Sequence, residues 1–427
     1  MKKILGIRKE VKNKWERRVT LTPAAVKELK DNFGIKTLFQ LSEKRIFDDQ
    51  DYINAGAEAR EILDEAEIIL AVKEIPIQHI LENKIYLFFS HTIKGQPYNM
   101  PLLQTLIDKK CTLIDYEPIK DENDRRLVFF GRHAGYAGMV NGFFTLGKRL
   151  HALGIQNQFE KIKQAKDYPD LEAAKEEITK LGKKLKLPDE INPLVVGITG
   201  YGNVSIGAQK ILDLLPVTKI EPNDLLANEL EKNKIYKVIF KEEDLVEKIG
   251  GGNFDLEEYY NEPGKYKSKF EQFLPKINLL VNAIYWEEKY PRLVTKEFTS
   301  KNKLNNLIAI ADLSCDINGS IEMTEKATPS DNPVFIYNPK SNTINDGFDG
   351  DGIALMTVDN LPAEIPVESS EWFSKSLMPL VPKLFEADYS KSFEELDLSP
   401  ELKNACVVYR GKLTPNFKYL EEFLGNR

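Results

Sequence analysis

Charged side chains follow three successive apolar runs in the first third of the chain. Lys73 and Glu74 come directly after "IILAV", His91 follows "IYLFFS", and Glu117 follows "TLIDY". Because ligands of open α/β sheets bind outside the carboxyl ends of the strands, we expect these side chains to share one edge of a sheet. A histidine titrates near neutral pH, and burial lowers the pKa of a lysine toward it, so Lys73 and His91 are suited to moving protons. The pattern predicts an acid–base site.

A single charged residue at a strand end has a simpler interpretation, because such residues are commonly solvated loop residues. We interpret His133 and His151 in that way. Arg18, in "WERRVTLTP", follows the first apolar run and is suited to holding a carboxylate in a fork, whereas the alternative for Arg17 is a surface ion pair. It is less probable that Lys73, His91 and Glu117, which follow consecutive strands, are all solvated loop residues. Their shared placement favours the predicted acid–base site.

A second stretch predicts a nucleotide site. In "VVGITGYGNVSIGAQ", residues 195–209, an apolar run leads to Gly200 and Gly202, and Ser205 stands where a dinucleotide fingerprint has its third small residue. The two glycines allow a tight corner and a close approach of the backbone to a pyrophosphate at the helix N-terminus. Glu221 lies about 20 residues further on, where a ribose-binding carboxylate is expected. The alternative is a tight strand-to-helix turn without a ligand.

The elements that must position these residues are predicted to form two α/β units. In residues 2–150 short apolar runs alternate with amphipathic stretches, which predicts a parallel sheet with helices on both faces. Pro23 suits the first turn of a helix capped by Thr22. A second unit begins at "NPLVVGITG", with further strands at "VTKIE", "YKVIF", "INLLVNAIYW" and "NLIAIADLS". Asp312 and Asp316 follow the last of these, where a nicotinamide ring is expected; one of them can be an N-cap instead.

Three other segments lack such clear patterns. We interpret "FEKIKQAKDYPDLEAAKEEITKLGKKLKLP" as a solvated connecting helix pair and "GGGNFDLEEYYNEPGKYKSKF" as a long loop or insertion. The glycine-rich "NDGFDGDGIALMTVDNLPAEIP" interrupts the pattern, and the tail that follows it is predicted to be helical. The sequence has no internal repeat.

Composition narrows the class of protein. A length of 427 residues favours two domains. The chain has 59 basic and 66 acidic residues and no long block of one charge sign, so the sequence shows no surface for binding nucleic acid or an anionic membrane. Cys111, Cys315 and Cys406 are too far apart for a metal site or a disulfide framework, so we expect no metal and a reducing compartment. The apolar part of the N-terminus is short for a signal peptide, and no run reaches the roughly 18 residues of a membrane span, which predicts a soluble cytoplasmic protein.

Several motifs, in this order, resemble the lysine-ketoglutarate reductase domain of the saccharopine pathway, which belongs with alanine dehydrogenase and the nucleotide-binding subunit of transhydrogenase. They are "ERRVTLTP", "VKE", "SHTIK", "TGYGNVSIGAQ", "NAIYWE", "PRLVT" and "ADLSCDINGSIE". The resemblance extends from about residue 5 to "GKLTPNFKYL" near the C-terminus. It implies two Rossmann-like domains with a cleft between them. The substrate domain would be discontinuous, residues 1–140 and 345–427, with a dinucleotide-binding domain, residues 141–344, inserted in it.

The resemblance also implies a reaction and its residues. L-Lysine condenses with 2-oxoglutarate, and the imine is reduced to saccharopine, with Lys73 and His91 as the acid–base pair. Saccharopine carries three carboxylates, and Arg18, Lys94 and Arg126 are suited to binding them. Glu74 and Glu117 would either tune the acid–base pair or bind the ammonium groups of lysine. The cofactor-binding residues would be Gly200, Gly202, Asn203, Val204, Ser205, Glu221, Asn282, Ile284 and Asp316.

The cofactor and the exact reaction leave alternatives open. The resemblance favours NADP(H), whereas Glu221 would repel a 2′-phosphate and keeps NAD(H) possible unless it turns away or a cation such as Lys219 meets the phosphate. The rival enzymes are an NAD-dependent saccharopine dehydrogenase that forms lysine and, more distantly, alanine dehydrogenase. A non-catalytic nicotinamide-nucleotide-binding relative is a third interpretation. A homodimer is compatible with the sequence, and we expect a separate saccharopine-cleaving enzyme, because the chain stops at Arg427.

Overall fold

The computed structural model describes residues 3–227 and 229–425. The strands are β1 (Ile4–Ile7), β2 (Lys36–Phe39), β3 (Glu58–Ala59), β4 (Ile68–Leu70), β5 (Ile85–Phe88), β6 (Thr112–Asp115), β7 (Leu194–Thr199), β8 (Val217–Ile220), β9 (Ile235–Phe240), β10 (Val246–Lys248), β11 (Tyr266–Ser268), β12 (Leu279–Asn282), β13 (Ala309–Asp312), β14 (Val334–Asn338), β15 (Thr343–Asp346), β16 (Ile353–Met356), β17 (Cys406–Tyr409) and β18 (Lys412–Leu413).

The α-helices are α1 (Pro23–Phe33), α2 (Asp49–Asn54), α3 (Met100–Asp108), α4 (Gly131–Ala152), α5 (Leu171–Gly182), α6 (Asn203–Leu212), α7 (Pro222–Ala227), α8 (Glu242–Leu245), α9 (Leu256–Asn261), α10 (Lys296–Lys301), α11 (Pro366–Leu377), α12 (Val381–Glu386) and α13 (Pro400–Asn404). Short 3₁₀ helices occupy Ile77–His79, Pro97–Asn99, Phe159–Lys161, Ala165–Asp167, Asp189–Ile191, Pro263–Lys265, Phe270–Lys276, Leu361–Glu364 and Pro415–Glu422.

The chain divides into two compact units. The first contains the chain up to Phe130 and from Pro366 onward, and the second contains Gly131–Ile365. The second unit extends further in both directions than the predicted range 141–344. It does so because α4 is continuous from Gly131, and because β16 pairs with both β13 and β14 in the sheet of that unit.

The first unit is built on an eight-stranded sheet. The strand order is β18-β17-β6-β5-β4-β1-β2-β3, and β1 to β6 are parallel. The apolar runs "IILAV", "IYLFFS" and "TLIDY" contain β4, β5 and β6, and the predicted helix α1 also forms. Thr22 caps α1 by accepting a hydrogen bond from the Ala25 amide at 3.3 Å, and Pro23 occupies its first turn. The parallel arrangement brings the carboxyl ends of β1, β4, β5 and β6 to one edge of the sheet.

The second unit contains another eight-stranded sheet, in the order β15-β14-β16-β13-β12-β7-β9-β8. β14 and β15 are antiparallel additions, and the other strands are parallel. The buried run of β7 leads directly into α6, so the predicted strand-turn-helix unit of the fingerprint is present. The remaining predicted strands correspond to β8, β9, β12 and β13.

Four predictions differ from the structure: three concern the less regular segments, and one concerns His133 and His151. The supposed helix pair contains one α-helix, α5, because Pro169 keeps Tyr168 extended and Asp170 then caps the helix by accepting from the Ala173 amide at 2.8 Å. The segment predicted as a long loop or insertion contains α9 and β11, and β11 pairs with β10, which precedes the segment. The Tyr266 ring of β11 packs against Phe254 at 5.7 Å.

The tail is only partly helical, since β17 adds antiparallel to β6 and β18 pairs with β17. The two histidines interpreted as loop residues both lie in α4. His151 is exposed, with Nδ1 3.2 Å from Glu160, but His133 is buried and packs edge-on to Tyr136 at 5.7 Å between ring centroids.

Candidate active site

A histidine–carboxylate pair forms at the ends of β4 and β5. Glu74 follows β4, His91 follows β5, and His91 Nδ1 lies 2.5 Å from Glu74 Oε1. Lys12 Nζ contacts the same carboxylate at 3.1 Å. Burial raises the pKa of Glu74, but the hydrogen bond and charge of His91, together with Lys12, outweigh it and bring the pKa down to about 2. Glu74 is therefore ionised at neutral pH, and its carboxylate orients the His91 ring through Nδ1.

Lys73 stands beside this pair as a half-buried amine. Burial, followed by the positive charge of Arg18, lowers the pKa of Lys73 from 10.5 to about 8, while Glu16 and Glu74 oppose the change. Among the described residues, only the backbone amide of Lys73 is seen in a hydrogen bond, at 3.1 Å to Glu10. Its Nζ is thus available to take up and release a proton near neutral pH.

The backbone that carries His91 is held in an unusual conformation. His91 has a φ of +50°, in the left-handed region that a side chain with a Cβ seldom adopts. The Asn99 amide donates to the Ser90 carbonyl at 2.9 Å and to the His91 carbonyl at 3.4 Å. The Asp115 carboxylate, at the end of β6, accepts from the Ser90 amide at 2.9 Å. These contacts tie the His91 turn to its neighbours, which is how a strained functional turn is maintained.

Arg18 forms a buried pair with Glu16. The guanidinium donates from Nε at 2.8 Å and from Nη2 at 2.6 Å to the two oxygens of Glu16, and both side chains are almost completely buried. The guanidinium carbon also lies 4.3 Å from the centroid of the Phe130 ring. A substrate carboxylate would therefore share Arg18 with Glu16. Arg17 is exposed and donates to the Lys44 carbonyl at 3.3 Å, and the surface ion pair considered as its alternative role is not found within residues 3–227 and 229–425.

The other predicted substrate residues lie at the same sheet edge or beyond it. Lys94 is exposed three residues after His91, and Glu117 is half-buried just after β6, with its amide donating to Asp115 at 2.7 Å. Arg126 is exposed on a turn in which the backbones of residues 120 and 126 pair. The structure brings Glu74 and His91 into contact, and Lys73, next to Glu74 in the chain, interacts electrostatically with Glu74. It shows no side-chain contact of Lys94, Glu117 or Arg126 with these residues among the described residues.

The glycine turn of the second unit has the form of a phosphate site. Gly200 has a φ of +84°, and a Cβ there would approach the Ala283 carbonyl to 2.9 Å. Gly202 is the N-cap of α6, no side chain caps that helix end, and a Cβ on Gly202 would point into open space. Asn203 and Val204 form the first turn of α6, so their amides lie at the helix end that attracts anions. These residues fit a dinucleotide.

Ser205 is needed for packing on the other side of this turn. It is fully buried, and its hydroxyl accepts from Gln209 at 3.0 Å. α6 crosses α4 at very close range, because a Cβ on Gly135 would lie 2.0 Å from the Val204 carbonyl and one on Gly207 would lie 2.2 Å from the Arg132 carbonyl. The small face of α6 therefore lets α4 set the position of the helix N-terminus.

Asn282 belongs to a closed polar network at the ends of β7, β12 and β13. It accepts from Thr199 at 2.7 Å and donates to Asp312 at 2.8 Å and Ser320 at 2.9 Å. Burial raises the pKa of Asp312 to about 6 despite hydrogen bonds from Thr324 and Asn282. The Asn282 side chain is therefore fully buried and engaged within the protein.

The remaining predicted cofactor residues are Ile284, Asp316 and Glu221. Ile284 lies against the glycine turn, with its Cγ2 3.2 Å from the position of a Cβ on Gly200. Asp316 is half-buried in the turn after β13, where its carbonyl accepts from the Gly319 amide at 2.9 Å. Glu221, at the end of β8, is exposed and paired with Lys219 at 2.9 Å. A cation thus stands beside the carboxylate that was expected to meet the ribose.

The described residues contain no cluster of three or more His, Cys, Asp or Glu side chains that could hold a metal ion. No helix in the described part of the chain is long and apolar enough to cross a membrane.

Four residues that contact the site residues were not predicted from the sequence: Glu10, Glu16, Asn99 and Asp115. Only Asp115 carried a signal, since it ends a predicted strand.

Comparisons with known proteins agree with this architecture. Residues 6–137 match the family described as "Alanine dehydrogenase/PNT, N-terminal domain", and residues 211–416 match "Alanine dehydrogenase/PNT, C-terminal domain". Alpha-aminoadipic semialdehyde synthase of Arabidopsis thaliana is 39% identical in an alignment of 442 positions that covers 98% of this chain and 41% of that protein. The saccharopine dehydrogenase [NAD(+), L-lysine-forming] of Yarrowia lipolytica is 26% identical in an alignment of 397 positions that covers 87% of this chain and 90% of that protein.

The chain spans less than half the length of the alpha-aminoadipic semialdehyde synthases that it matches. A solved L-alanine dehydrogenase superposes with a TM-score of 0.63 at 19% identity and covers 99% of this chain and 100% of that one. The predicted α/β fold with two Rossmann-like domains is thereby confirmed, and so is the predicted resemblance. The chain belongs to the alanine dehydrogenase/PNT family, whose N-terminal and C-terminal domains it carries in that order.

Proposed function

We propose that this protein is an NAD(P)-dependent oxidoreductase acting on CH–NH groups, which condenses L-lysine with 2-oxoglutarate and reduces the product to saccharopine. The observation that carries the proposal is the strand-end cluster, in which one carboxylate, Glu74, holds the His91 ring and acts electrostatically on the Lys73 amine, whose pKa is lowered to about 8. The name of the Arabidopsis relative supports the substrate class, because α-aminoadipic semialdehyde is the lysine skeleton with an aldehyde in place of the ε-amine.

The acid–base residues match the proton transfers that this condensation requires. The ε-ammonium of lysine must lose a proton before its nitrogen attacks the ketone, and the carbinolamine hydroxyl must gain one to leave as water. Lys73 is neutral in a useful fraction of molecules near pH 7.5, so we assign it to the first transfer. His91, oriented through Nδ1 by Glu74, presents Nε2 for the second. General acid–base catalysis of this kind is worth about 10²–10⁴-fold in rate.

The substrates add charges that the remaining residues can meet. Saccharopine carries three carboxylates, and we assign Arg18, Lys94 and Arg126 as their cationic partners. Glu117, and Glu74 in addition to its contact with His91, would face the ammonium groups of lysine. Arg18 is the most rigidly held of the three, because its buried guanidinium is fixed by Glu16, with which a substrate carboxylate would share it.

The second unit supports a nicotinamide cofactor. The uncapped N-terminus of α6, with Gly200 and Gly202 before it, suits a pyrophosphate. When bound, the reduced nicotinamide supplies the hydride that converts the imine to an amine. We propose NADP(H), because Lys219 pairs with Glu221 and is placed to offset its repulsion of a 2′-phosphate. Ile284 and Asp316 would lie toward the nicotinamide.

An NAD-dependent enzyme that forms lysine is the second candidate. Its support is the exposed Glu221 at the end of β8 and the NAD(+) in the name of the Yarrowia relative. The domain roles, with the first unit binding the substrates and the second binding the nucleotide, are part of the proposal. A cytoplasmic location, a homodimer and a separate saccharopine-cleaving enzyme stay predictions.

The proposal is tested by following the absorbance of the reduced nicotinamide. Purified protein receives L-lysine and 2-oxoglutarate with NADPH or NADH, and each substrate is omitted in turn. We expect oxidation only when both substrates are present, and faster with NADPH. Turnover with pyruvate and ammonia, but not with lysine and 2-oxoglutarate, would refute the substrate assignment and favour an alanine dehydrogenase activity. Nicotinamide binding without turnover of either pair would favour the non-catalytic alternative.

A further inference from the structure

A buried carboxylate anchors the backbone that carries Lys73. Glu10 follows β1, and its side chain reaches across to the end of β4, the neighbouring strand of the sheet. Its Oε1 accepts from the Val72 amide at 2.6 Å, and its Oε2 accepts from the Lys73 amide at 3.1 Å. Only 7% of Glu10 is exposed. Both oxygens are therefore committed to the two peptide groups that lead into the reactive lysine.

The surroundings make this an unfavourable place for a negative charge. Burial and the nearby Glu16 raise the pKa of Glu10 to about 7, and the two amide hydrogen bonds and Arg8 only partly offset them. Tyr116 and Lys44 also face Glu10 electrostatically. Burying a carboxylate costs more free energy than burying an apolar side chain such as leucine. The presence of Glu10 at this buried position is therefore explained by the backbone amides that it holds.

We infer that Glu10 is a positioning residue for the reaction, and that it holds the Val72–Lys73 backbone so that the Lys73 amine stays shielded from water. The inference rests on the proposed function in one respect, which is that Lys73 is the group whose protonation state matters for turnover. Glu10 touches no substrate in this account; it acts only through Lys73.

The physical reason lies in what happens when the anchor is lost. Without Glu10, the amides of Val72 and Lys73 have no acceptor, and an unsatisfied buried N–H is costly enough to pull the loop toward water. The lysine amine would then be hydrated. Because burial is the largest cause of its lowered pKa, hydration raises that pKa back toward 10.5.

A role through charge alone predicts the opposite sign. Removing a negative charge near an ammonium group lowers its pKa, since the charged form loses an attraction. Glu10→Gln removes the charge and one of the two acceptors, whereas Glu10→Asp keeps the charge but shortens the side chain by one carbon. Positioning predicts that both variants raise the pKa of Lys73. A charge effect predicts that Glu10→Gln lowers it and that Glu10→Asp leaves it unchanged.

The experiment measures the pKa of Lys73 without relying on turnover. Full-length protein is labelled briefly with isotopic acetic anhydride over pH 6.5–11, and the acetylation of Lys73 is read by mass spectrometry, because only the neutral amine reacts. We expect a midpoint near 8 in the wild type and higher midpoints in Glu10→Asp and Glu10→Gln. Glu61→Gln is the matched control, an exposed acid of the same unit, and should keep the wild-type midpoint.

Kinetics supply a second readout. In the reductive direction, the pH at which kcat reaches half its maximum should move upward with the labelling midpoint, while the KM for NADPH stays unchanged. A wild-type or lowered midpoint in both Glu10 variants would overturn the inference. Raised midpoints in a protein that turns over no lysine would support the anchor and refute the proposed function, so the two failures are distinguishable.

Discussion

Replacing Lys73 by methionine should make the protein more stable and less active at the same time. The fold lowers the pKa of Lys73 from 10.5 to about 8, so the folded state disfavours the ammonium form. At 1.36 kcal/mol per pH unit, this amounts to roughly 3 kcal/mol, which we reduce to about 2–3 kcal/mol because the side chain is only half-buried. Methionine has a similar length and no charge, so it removes this penalty.

The pH dependence gives the prediction its sign. Below pH 8 the lysine is protonated in both states, and the folded state carries the full penalty. Between pH 8 and 10.5 the folded form has lost its proton while the unfolded form has not, so the penalty shrinks as the pH rises. The gain from Lys73→Met should therefore be largest near pH 7 and fall to nothing near pH 10.5.

Urea unfolding followed by tryptophan fluorescence measures this difference. Trp15 and Trp372 lie in the first unit and Trp286 in the second, so a Trp286→Phe background reports on the first unit alone. Lys418→Met, which replaces an exposed lysine of that unit, is the control and should show no such gain. Equal stability of Lys73→Met and its background at pH 7, or a gain that persists at pH 10.5, would refute the reasoning. The variant should also lose about 10²–10⁴-fold in kcat with unchanged NADPH binding.

Three further predictions follow from particular contacts. Asn99→Ala should lower kcat roughly tenfold with little change in KM, because the His91 turn loses its anchor; steady-state kinetics check this, and an unchanged kcat would contradict it. Lys219→Ala should weaken NADPH binding roughly tenfold but leave NADH binding unaffected, as measured by nicotinamide fluorescence; equal losses for both cofactors would exclude a phosphate role. Gly207→Ala should lower the melting temperature of the second unit, because overpacking by about 1–3 kcal/mol exceeds the helix-propensity gain of about 1 kcal/mol; a raised melting temperature in calorimetry would show that α4 can move aside.

The part of the site that could be predicted from sequence depends on strand ends. Lys73 and His91 could be expected at one sheet edge because parallel strands align their carboxyl ends, and the contact between Glu74 and His91 follows from that alignment. Glu10 and Glu16 could not be predicted as site residues, because the residue type alone does not distinguish a buried glutamate from a solvated one. Its burial depends on neighbours that are distant in sequence, such as Val72 for Glu10.

The fold shows the same division. Thr22 and Pro23 predict the start of α1, because threonine is a favoured N-cap and proline is favoured in the first turn. β7 is recognisable as an apolar run before a glycine turn. α4 was not predicted, because its glycines lower helix propensity and its apolar residues surround the helix without a clear stripe. Those glycines have a tertiary purpose: Gly135 faces Gly207 where the two helices meet. β17 was missed because its pairing with β6 joins segments nearly 300 residues apart, as the contact between Arg410 and Thr112 illustrates.

The fate of labelled atoms tests the central claim most directly. Protein supplied with [ε-¹⁵N]lysine, 2-oxoglutarate and NADPH deuterated on its transferable position should form saccharopine that retains the ¹⁵N and carries one deuterium on the former ketone carbon, as seen by mass spectrometry and NMR. That result requires both imine formation with the ε-amine and hydride delivery to the same carbon. Release of the ¹⁵N as ammonia, or a product such as glutamate that contains deuterium but not the lysine skeleton, would contradict the account.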